Sequence, residues 1–478
     1  MALFLPRFVV LRSNNDKYLR YVRDGKLRNL IKCDGQEIIS PVSKFKIEKA
    51  KSHRDLVHIR CCYTNKYLRR RDEEALTVGA TADAADEDQS KWSCTLFKLL
   101  PVDDKTFHFR HVESGCNLYQ WRSTDDYDGC LFIATSDDDE DARGSDLFSF
   151  TDWESLVILP KHVVFKGDNG KYLRYRGNDS DDGDDHMEFG CDDIGSIKLT
   201  SEPVTNYDGS VCFKLDYNEK FWEATPNWIF PTSANPKTWF RPVKLAPVSG
   251  KDNIIALKCL GNDKFCRRTD YDGTVDCLAA ATWASTIDKE ANLQVEEPIL
   301  NREVYDVSFR LDDMRVYKEQ VLVLASDETT NMTGTEIKDS ELSLAYEDTK
   351  TSSYANSLSV QTSIEMGFEA NIPLLEGALS LGVSSSFSIE YGEKYSWAET
   401  KSKTNQLSAV IKVVVPPKTR VKVDLVATKG FCDVPFSYAQ RDTLTSGQQF
   451  TYIKDDGVYT GSNYFGFNFV VKEEPLAG

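Results

Sequence analysis

One short unit recurs six times in the first 300 residues of this 478-residue chain, and no other feature restricts the fold as much. The unit is a strand of alternating apolar positions, a turn rich in Asn, Asp or Gly, then Lys, an aromatic and an apolar residue. Its copies read FVVLRSNNDKYLRY from 8, HIRCCYTNKYLRR from 58, HFRHVESGCNLYQW from 108, VVFKGDNGKYLRY from 163, VCFKLDYNEKFWE from 211 and IALKCLGNDKFCRR from 255. The signature Lys stands at 17, 66, 171, 220 and 264, with Asn117 expected in its place in the third copy, so the intervals are 49, 51, 54, 49 and 44. Self-similarity at such a period marks a closed or stacked array of supersecondary units. Each copy is followed by another strand-like run: SKFKIE, TLFKLL, DLFSFT, SIKLTS, TWFRPV and ANLQVE. That makes about four strands per repeat, an all-β pattern with turn chemistry between strands. A six-bladed propeller and two tandem β-trefoils both fit this arithmetic. The widest interval separates the third and fourth copies, where SFTDWESLVILPKH reads as a linker, and this favours two trefoils.

Charge narrows the partners. Lys plus Arg number 58 against 75 Asp plus Glu, a net −17, which excludes the basic footprint of a nucleic-acid binder and favours a neutral partner. No run of about 18 apolar residues exists, so no helical membrane span is expected. The opening MALFLPRFVVLRS is broken by Arg7 and already strand-like at Phe8, so a cytoplasmic or nucleocytoplasmic protein is expected. Of twelve cysteines eleven precede residue 278 and none forms a Cys-x-x-Cys pair, so free buried thiols are expected and no metal or cofactor. The acidic runs at 137–141 and 179–185 read as solvated loops. Counted from Asn178, the twelfth position of a calcium loop is Phe189 rather than Glu.

SNNDKYLRY, YTNKYLRR, KWSCTLFKL and FKGDNGKYLRY resemble the amaranthin family of plant lectins. The resemblance implies two tandem β-trefoil agglutinin domains, at 1–152 and 158–297. It also implies binding of cell-surface glycans of the galactose/GalNAc, T-antigen-like type, with the sugar near a subunit contact. The loop after the second KYL, Arg69 to Thr77, holds no aromatic, so no sugar ligand is assigned to it.

A lectin site needs an aromatic plate for the apolar face of a sugar and Asp, Asn or backbone groups for its hydroxyls. Three turn-like segments combine both: Trp121 with Tyr127 and Asp128, Asn227 with Trp228, and Tyr271 with Asp272. The competing role for such aromatics is to cap the core of a trefoil.

After Glu296, Glu297 and Pro298 the repeat stops and long period-2 alternation begins, marking a third domain at 300–478. Leu358, Val360, Ile364, Met366, Phe368 and Ile372 share one face of a first arm. After the apolar tip Ile372, Pro373, Leu374 and Leu375, the return arm carries Leu379, Leu381, Val383, Phe387 and Ile389, with Ser-rich positions opposite. Each arm exceeds the roughly 9 to 11 residues that a tilted membrane strand needs. Two strands close a barrel only when several chains contribute, so the pattern implies a homo-oligomer. A half-buried hairpin in a β-sandwich gives the same alternation. The Ser/Thr-rich hairpin with IPLLEG at its tip, followed by YSWAET and VVVPPKTRVKV, resembles the aerolysin-type pore-forming module.

Together these readings anticipate a chimeric lectin that docks on glycans, oligomerises and inserts a β-barrel pore into membranes in defence or stress. The alternative is a non-lytic lectin whose C-terminal module serves oligomerisation or signalling. An enzyme is not expected: all six histidines precede residue 187, and no two carboxylates are paired by the pattern.

Overall fold

The computed structural model describes residues 6–136, 144–177, 186–246, 253–271, 273–283, 287–356 and 400–476, apart from the side chains of Tyr271, Thr282, Trp283, Asn463 and Phe465. The signature turn explains the repeat. In all six copies one residue, Asp16, Asn65, Gly115, Gly170, Glu219 or Asp263, takes a left-handed φ between 57° and 77°. The residue before it accepts the N–H two positions on. Asn15, Asn169, Asn218 and Asn262 do so with side-chain oxygens at 2.9–3.1 Å, Thr64 and Ser114 with hydroxyls at 3.3 Å. Asn15, Asn169 and Asn262 also donate to carbonyls of the third strand of their repeat. The third copy is registered differently from expectation. Cys116, not Asn117, fills the Lys position, its N–H on Ser114 and its carbonyl accepting from His111 N as that of Lys17 accepts from Ser13 N.

The apolar residue closing each signature, Leu19, Leu68, Leu118, Leu173, Trp222 or Cys266, is buried in a core. The first twelve strands are β1 (Phe8–Ser13), β2 (Tyr18–Tyr21), β3 (Ile31–Gly35), β4 (Lys44–Lys49), β5 (Leu56–Cys61), β6 (Tyr67–Arg70), β7 (Val78–Ala82), β8 (Leu96–Pro101), β9 (Thr106–His111), β10 (Leu118–Gln120), β11 (Leu131–Ile133) and β12 (Phe148–Asp152). The first and fourth strands of each repeat close a ring, β1–β4–β5–β8–β9–β12 and back to β1, every pair antiparallel. The second and third form hairpins. This closed six-stranded barrel with three hairpins is a β-trefoil, and it excludes a propeller blade, whose strands pair only within the repeat. Phe45, Phe97, Phe107, Phe109 and Phe148 fill it, each worth about 1.5–3 kcal/mol of burial.

The second trefoil repeats the plan with β13 (Val164–Lys166), β14 (Tyr172–Tyr175), β15 (Met187–Cys191), β16 (Ser201–Thr205), β17 (Val211–Leu215), β18 (Phe221–Thr225), β19 (Trp228–Ser233), β20 (Phe240–Lys244), β21 (Ile254–Cys259), β22 (Lys264–Tyr271), β23 (Thr274–Trp283) and β24 (Leu293–Glu296). Its ring closes through the Val163–Ser201 bridge. The expected strand at SIKLTS is a turn instead. Asp193 and Ser196 hold it, through Gly195 N on the Asp193 carboxylate and Leu199 N on the Ser196 carbonyl, and the strand begins only at Ser201.

Six long strands follow: β25 (Ile299–Phe309), β26 (Arg315–Asn331), β27 (Lys338–Asn356), β28 (Thr400–Val415), β29 (Thr419–Leu444) and β30 (Gln449–Pro475). They form one sheet in the order β25-β29-β30-β27-β28, with β26 on β29. Leu342, Leu344, Val413, Val415, Val421, Val423 and Leu425 make one of its cores, and Tyr354, Phe436, Tyr438 and Tyr459 another. The described chain falls into two compact units: everything to Glu303 with Gln440–Ile453, and Val304–Asn356 with residues 400–439 and Lys454 onward. Among the described residues no helix is long and apolar enough to cross a membrane, and no group of His, Cys, Asp or Glu is placed to hold a metal ion. All twelve cysteines are free thiols.

Candidate glycan-binding face

The three sequence-selected segments occupy one kind of place, the turn of the second-to-third-strand hairpin, in repeats three, five and six. In each trefoil these hairpins are tied to one another. In the first, bridges join Leu30 to Gly79, Lys32 to Cys130 and Thr77 to Phe132. Side chains add to this: Lys26 Nζ meets the Asp126 carboxylate at 2.6 Å, and Arg71 bonds to the Tyr127 hydroxyl. That bond and the Asp72 carboxylate 3.0 Å away raise the pKa of Arg71. The Arg69–Thr77 loop, to which the sequence assigned no ligand, therefore meets the Trp121–Asp128 turn on one face. Neither Arg71 nor Lys26 stands out in the sequence, although three-fold repetition is the signal that brings hairpin turns of one trefoil together.

Within this face Trp121 is half-buried and stacked on Phe132, ring centroids 4.9 Å apart at 22°, while Tyr127 meets Phe132 edge-on at 6.2 Å. The Trp121 indole N–H is enclosed without a hydrogen-bond partner. Asp128 holds the turn, accepting from Ser123 N at 3.1 Å. A second aromatic–cation stack lies on the same trefoil, the Arg69 guanidinium 4.8 Å over the Trp92 ring, with Arg69 Nε donating to Thr81.

In the second trefoil the structure brings Asn227 and Trp228 against repeat six. Trp228 pairs with Ala279, Ala280 N donates to the Asn227 carbonyl at 2.6 Å, and the Asn227 side chain accepts from Asn262 at 3.2 Å. Asn227 is thus engaged in joining hairpins. The backbone of Tyr271 pairs with Thr274 across the turn, while its side chain and Asp272 lie outside the described residues. The two sets of candidates stand on different trefoils.

The recurring histidines lean on neighbouring carboxylates or hydroxyls: His58 on Thr95 (2.8 Å) and Glu87, His108 on Asp146 (2.9 Å), and His162 on Asp216 (2.7 Å). His162 does more. Its Nδ1 is hydrogen-bonded to the Asp216 carboxylate and its Nε2 to the Tyr452 hydroxyl, and Phe450 packs on its ring at 4.1 Å. Close by in the same unit, Arg302 forks onto Asp442 (2.7 and 3.0 Å) and reaches Glu297 at 2.8 Å. These contacts fix Gln440–Ile453 in the first unit.

Every position of the expected inserting hairpin, Leu358 through Ile389, lies outside the described residues. The strands on either side of it are described. β27 and β28 pair without a slip from Lys338–Val415 to Ser353–Thr400.

The agglutinin-domain family model matches residues 3–151 and again 157–296, together more than half of the chain. The chain belongs to the agglutinin-domain family. Residues 288–443 match the aerolysin toxin model, so the protein joins two agglutinin domains to an aerolysin-type toxin module. Among solved structures, a lamprey immune protein is 13% identical over 67% of this chain and 93% of its own, with a TM-score of 0.30. An aerolysin-like protein of Bombina maxima is 15% identical over 36% of this chain and 99% of its own (TM-score 0.24), and the BEL β-trefoil 15% over 31% and 94% (TM-score 0.25). No curated protein matches the chain.

Proposed function

We propose that this agglutinin–aerolysin chimera is a glycan-targeted pore former. Its agglutinin domains dock on cell-surface glycans of the galactose/GalNAc, T-antigen-like type, chains assemble into a homo-oligomer, and the 358–391 hairpins line a membrane β-barrel. The observation that carries this reading is the joining, in one chain, of two agglutinin domains to a module matching aerolysin toxin. The unslipped β27–β28 ladder supports it, because its two strands are rich in Ser and Thr and lead directly into and out of the alternating segment. On the docking side the Trp121–Tyr127 turn with Arg71 is the proposed contact for sugar. A weak site on each chain, multiplied over several chains on one surface, gives avidity. The protein acts by binding and insertion rather than catalysis, from a cytoplasmic or nucleocytoplasmic store and at membranes on release, and nucleic acid is not a partner.

Dye release from liposomes bearing a Gal-GalNAc glycolipid tests the reading. Release is expected with the glycolipid, is suppressed by free disaccharide, and falls when Trp121→Ala weakens docking. Agglutination and oligomers without leakage or bilayer conductance would instead establish the non-lytic lectin.

A further inference from the structure

On the second unit, β27 makes its last described pair with β30 at Asn356 and Gly457. Next to this rung sits Asp456, 2% exposed. One of its carboxyl oxygens accepts from the Tyr438 hydroxyl at 3.0 Å, while the other is enclosed with no partner. The Asn356 amide lies in the same cluster, 3.3 Å from that hydroxyl and bonded to the carboxyl. The rung is tight: a Cβ on Gly457 would collide with the Phe436 ring. An ionised carboxylate enclosed with one oxygen unsatisfied is costly, whereas the neutral acid is tolerated.

We propose that Asp456 is a proton-operated catch on the β27–β30 ladder: the neutral acid keeps the Asn356–Gly457 rung closed, and ionisation opens it. The groups facing the carboxyl are the Asn356 amide from β27 and the Tyr438 phenol from β29. The charge that bears on it is Lys454, on its own strand. Burial outweighs these and raises the acid's pKa above 3.8. For an acid raised in the closed state, stability is complete below its open-state pKa and declines as pH rises to the closed-state value. The ladder therefore loosens toward higher pH. Since β27 leads from this rung into residues 357–399, loosening it frees the entry to the segment we assign to insertion, a consequence that rests on the proposed function.

Hydrogen exchange of the full chain, corrected for intrinsic rates and followed by mass spectrometry from below pH 3.8, the ordinary value of the acid, up to about pH 9, tests the catch without reference to membranes. Opening of 351–356 and 457–462 is expected to rise up to tenfold per pH unit between the two pKa values. Asp456→Asn should stay protected and flat. Tyr438→Phe removes a donor that favours the charged form, so its opening midpoint should move to higher pH. Wild-type opening independent of pH, or an Asp456→Asn profile following wild type, overturns the catch. If Asp456→Asn does not fold, a Tyr438→Phe midpoint that is unmoved or lower overturns it. Dye release is measured in parallel. Release that rises with pH in wild type only supports the link to insertion, and absence of release with the exchange profile intact overturns pore formation and leaves the catch standing.

Discussion

Replacing Arg302 by Met removes the one cation between Glu297 and Asp442, whose side chains are 4% and 1% exposed. The guanidinium makes two bonds to each carboxylate, so its loss leaves two enclosed negative charges facing each other. Breaking a buried ion pair from one side costs about 3–5 kcal/mol. At about 1.4 kcal/mol per factor of ten, that is about two to almost four orders of magnitude in the opening equilibrium of Gln440–Ile453. Local release is the expected response rather than global unfolding, because neither trefoil core includes these residues. Trypsin reads it out, since Arg441 lies within the segment, Lys454 directly follows it, and native-state cleavage follows the open population. We expect cleavage of Arg302→Met to accelerate at least a hundredfold at unchanged urea midpoint of the trefoils. The triple variant Arg302→Met, Glu297→Gln, Asp442→Asn removes both uncompensated charges and should recover most of the loss. Cleavage of the single variant within a few-fold of wild type, or a triple variant as labile as the single one, refutes the argument that charge compensation holds this segment.

Other expectations follow from single contacts. Trp222 is buried against Phe165, Phe213 and Phe240, so Trp222→Ala should lose about 3–5 kcal/mol in urea unfolding. Trp222→Phe should lose far less, because the indole N–H it discards is unpartnered. Gly79→Ala puts a Cβ 2.7 Å from the Asn29 carbonyl, backbone that cannot step aside without breaking the hairpin contact, and should cost about 1–3 kcal/mol by the same measurement. The Glu87 carboxylate, held by the Ser52 hydroxyl and the N–H groups of Lys51 and Ser52, has its pKa lowered from 4.5 to about 2. Its stabilisation is complete above pH 4.5 and lost as pH falls to about 2, so Glu87→Gln should flatten acid unfolding of the first trefoil in that window, followed by tryptophan fluorescence.

What the sequence made legible is what has a local cause. The left-handed residue, the Asn that caps the following N–H and the apolar residue two positions after the Lys are neighbours in the chain, so six copies display them without any knowledge of the fold. The one slip of register has a local cause as well. In the third copy Ser114 does the work of Asn and Cys116 stands where Lys belongs, so Asn117 looks like a turn residue although it occupies the aromatic position and bonds to Asp146. The face uniting Arg71 with Trp121 and Tyr127 required knowing that three hairpin turns converge, a consequence of barrel closure rather than of any motif.

Long-range ionic contacts carry no such pattern. Arg302 finds Asp442 at a separation of 140 residues, one choice among 75 acidic side chains, and neither residue sits in a distinctive run. The same holds for His162 and Tyr452, 290 residues apart. Alternation placed β29 and β30 beyond the trefoils, and nothing in a period of two says that the turn between them belongs with the first unit. Asp456 is similar: no motif marks it between Asp455 and Gly457, yet the strand carries it inward beside Tyr438. Periodicity assigns a residue to a face, whereas the partner that makes a buried charge tolerable is selected by the packing of strands distant in sequence. For this protein the features that hold the β29–β30 turn and the last β27 rung are of that second kind, which is why both are best probed by charge-neutralising substitutions rather than by changes to the repeat.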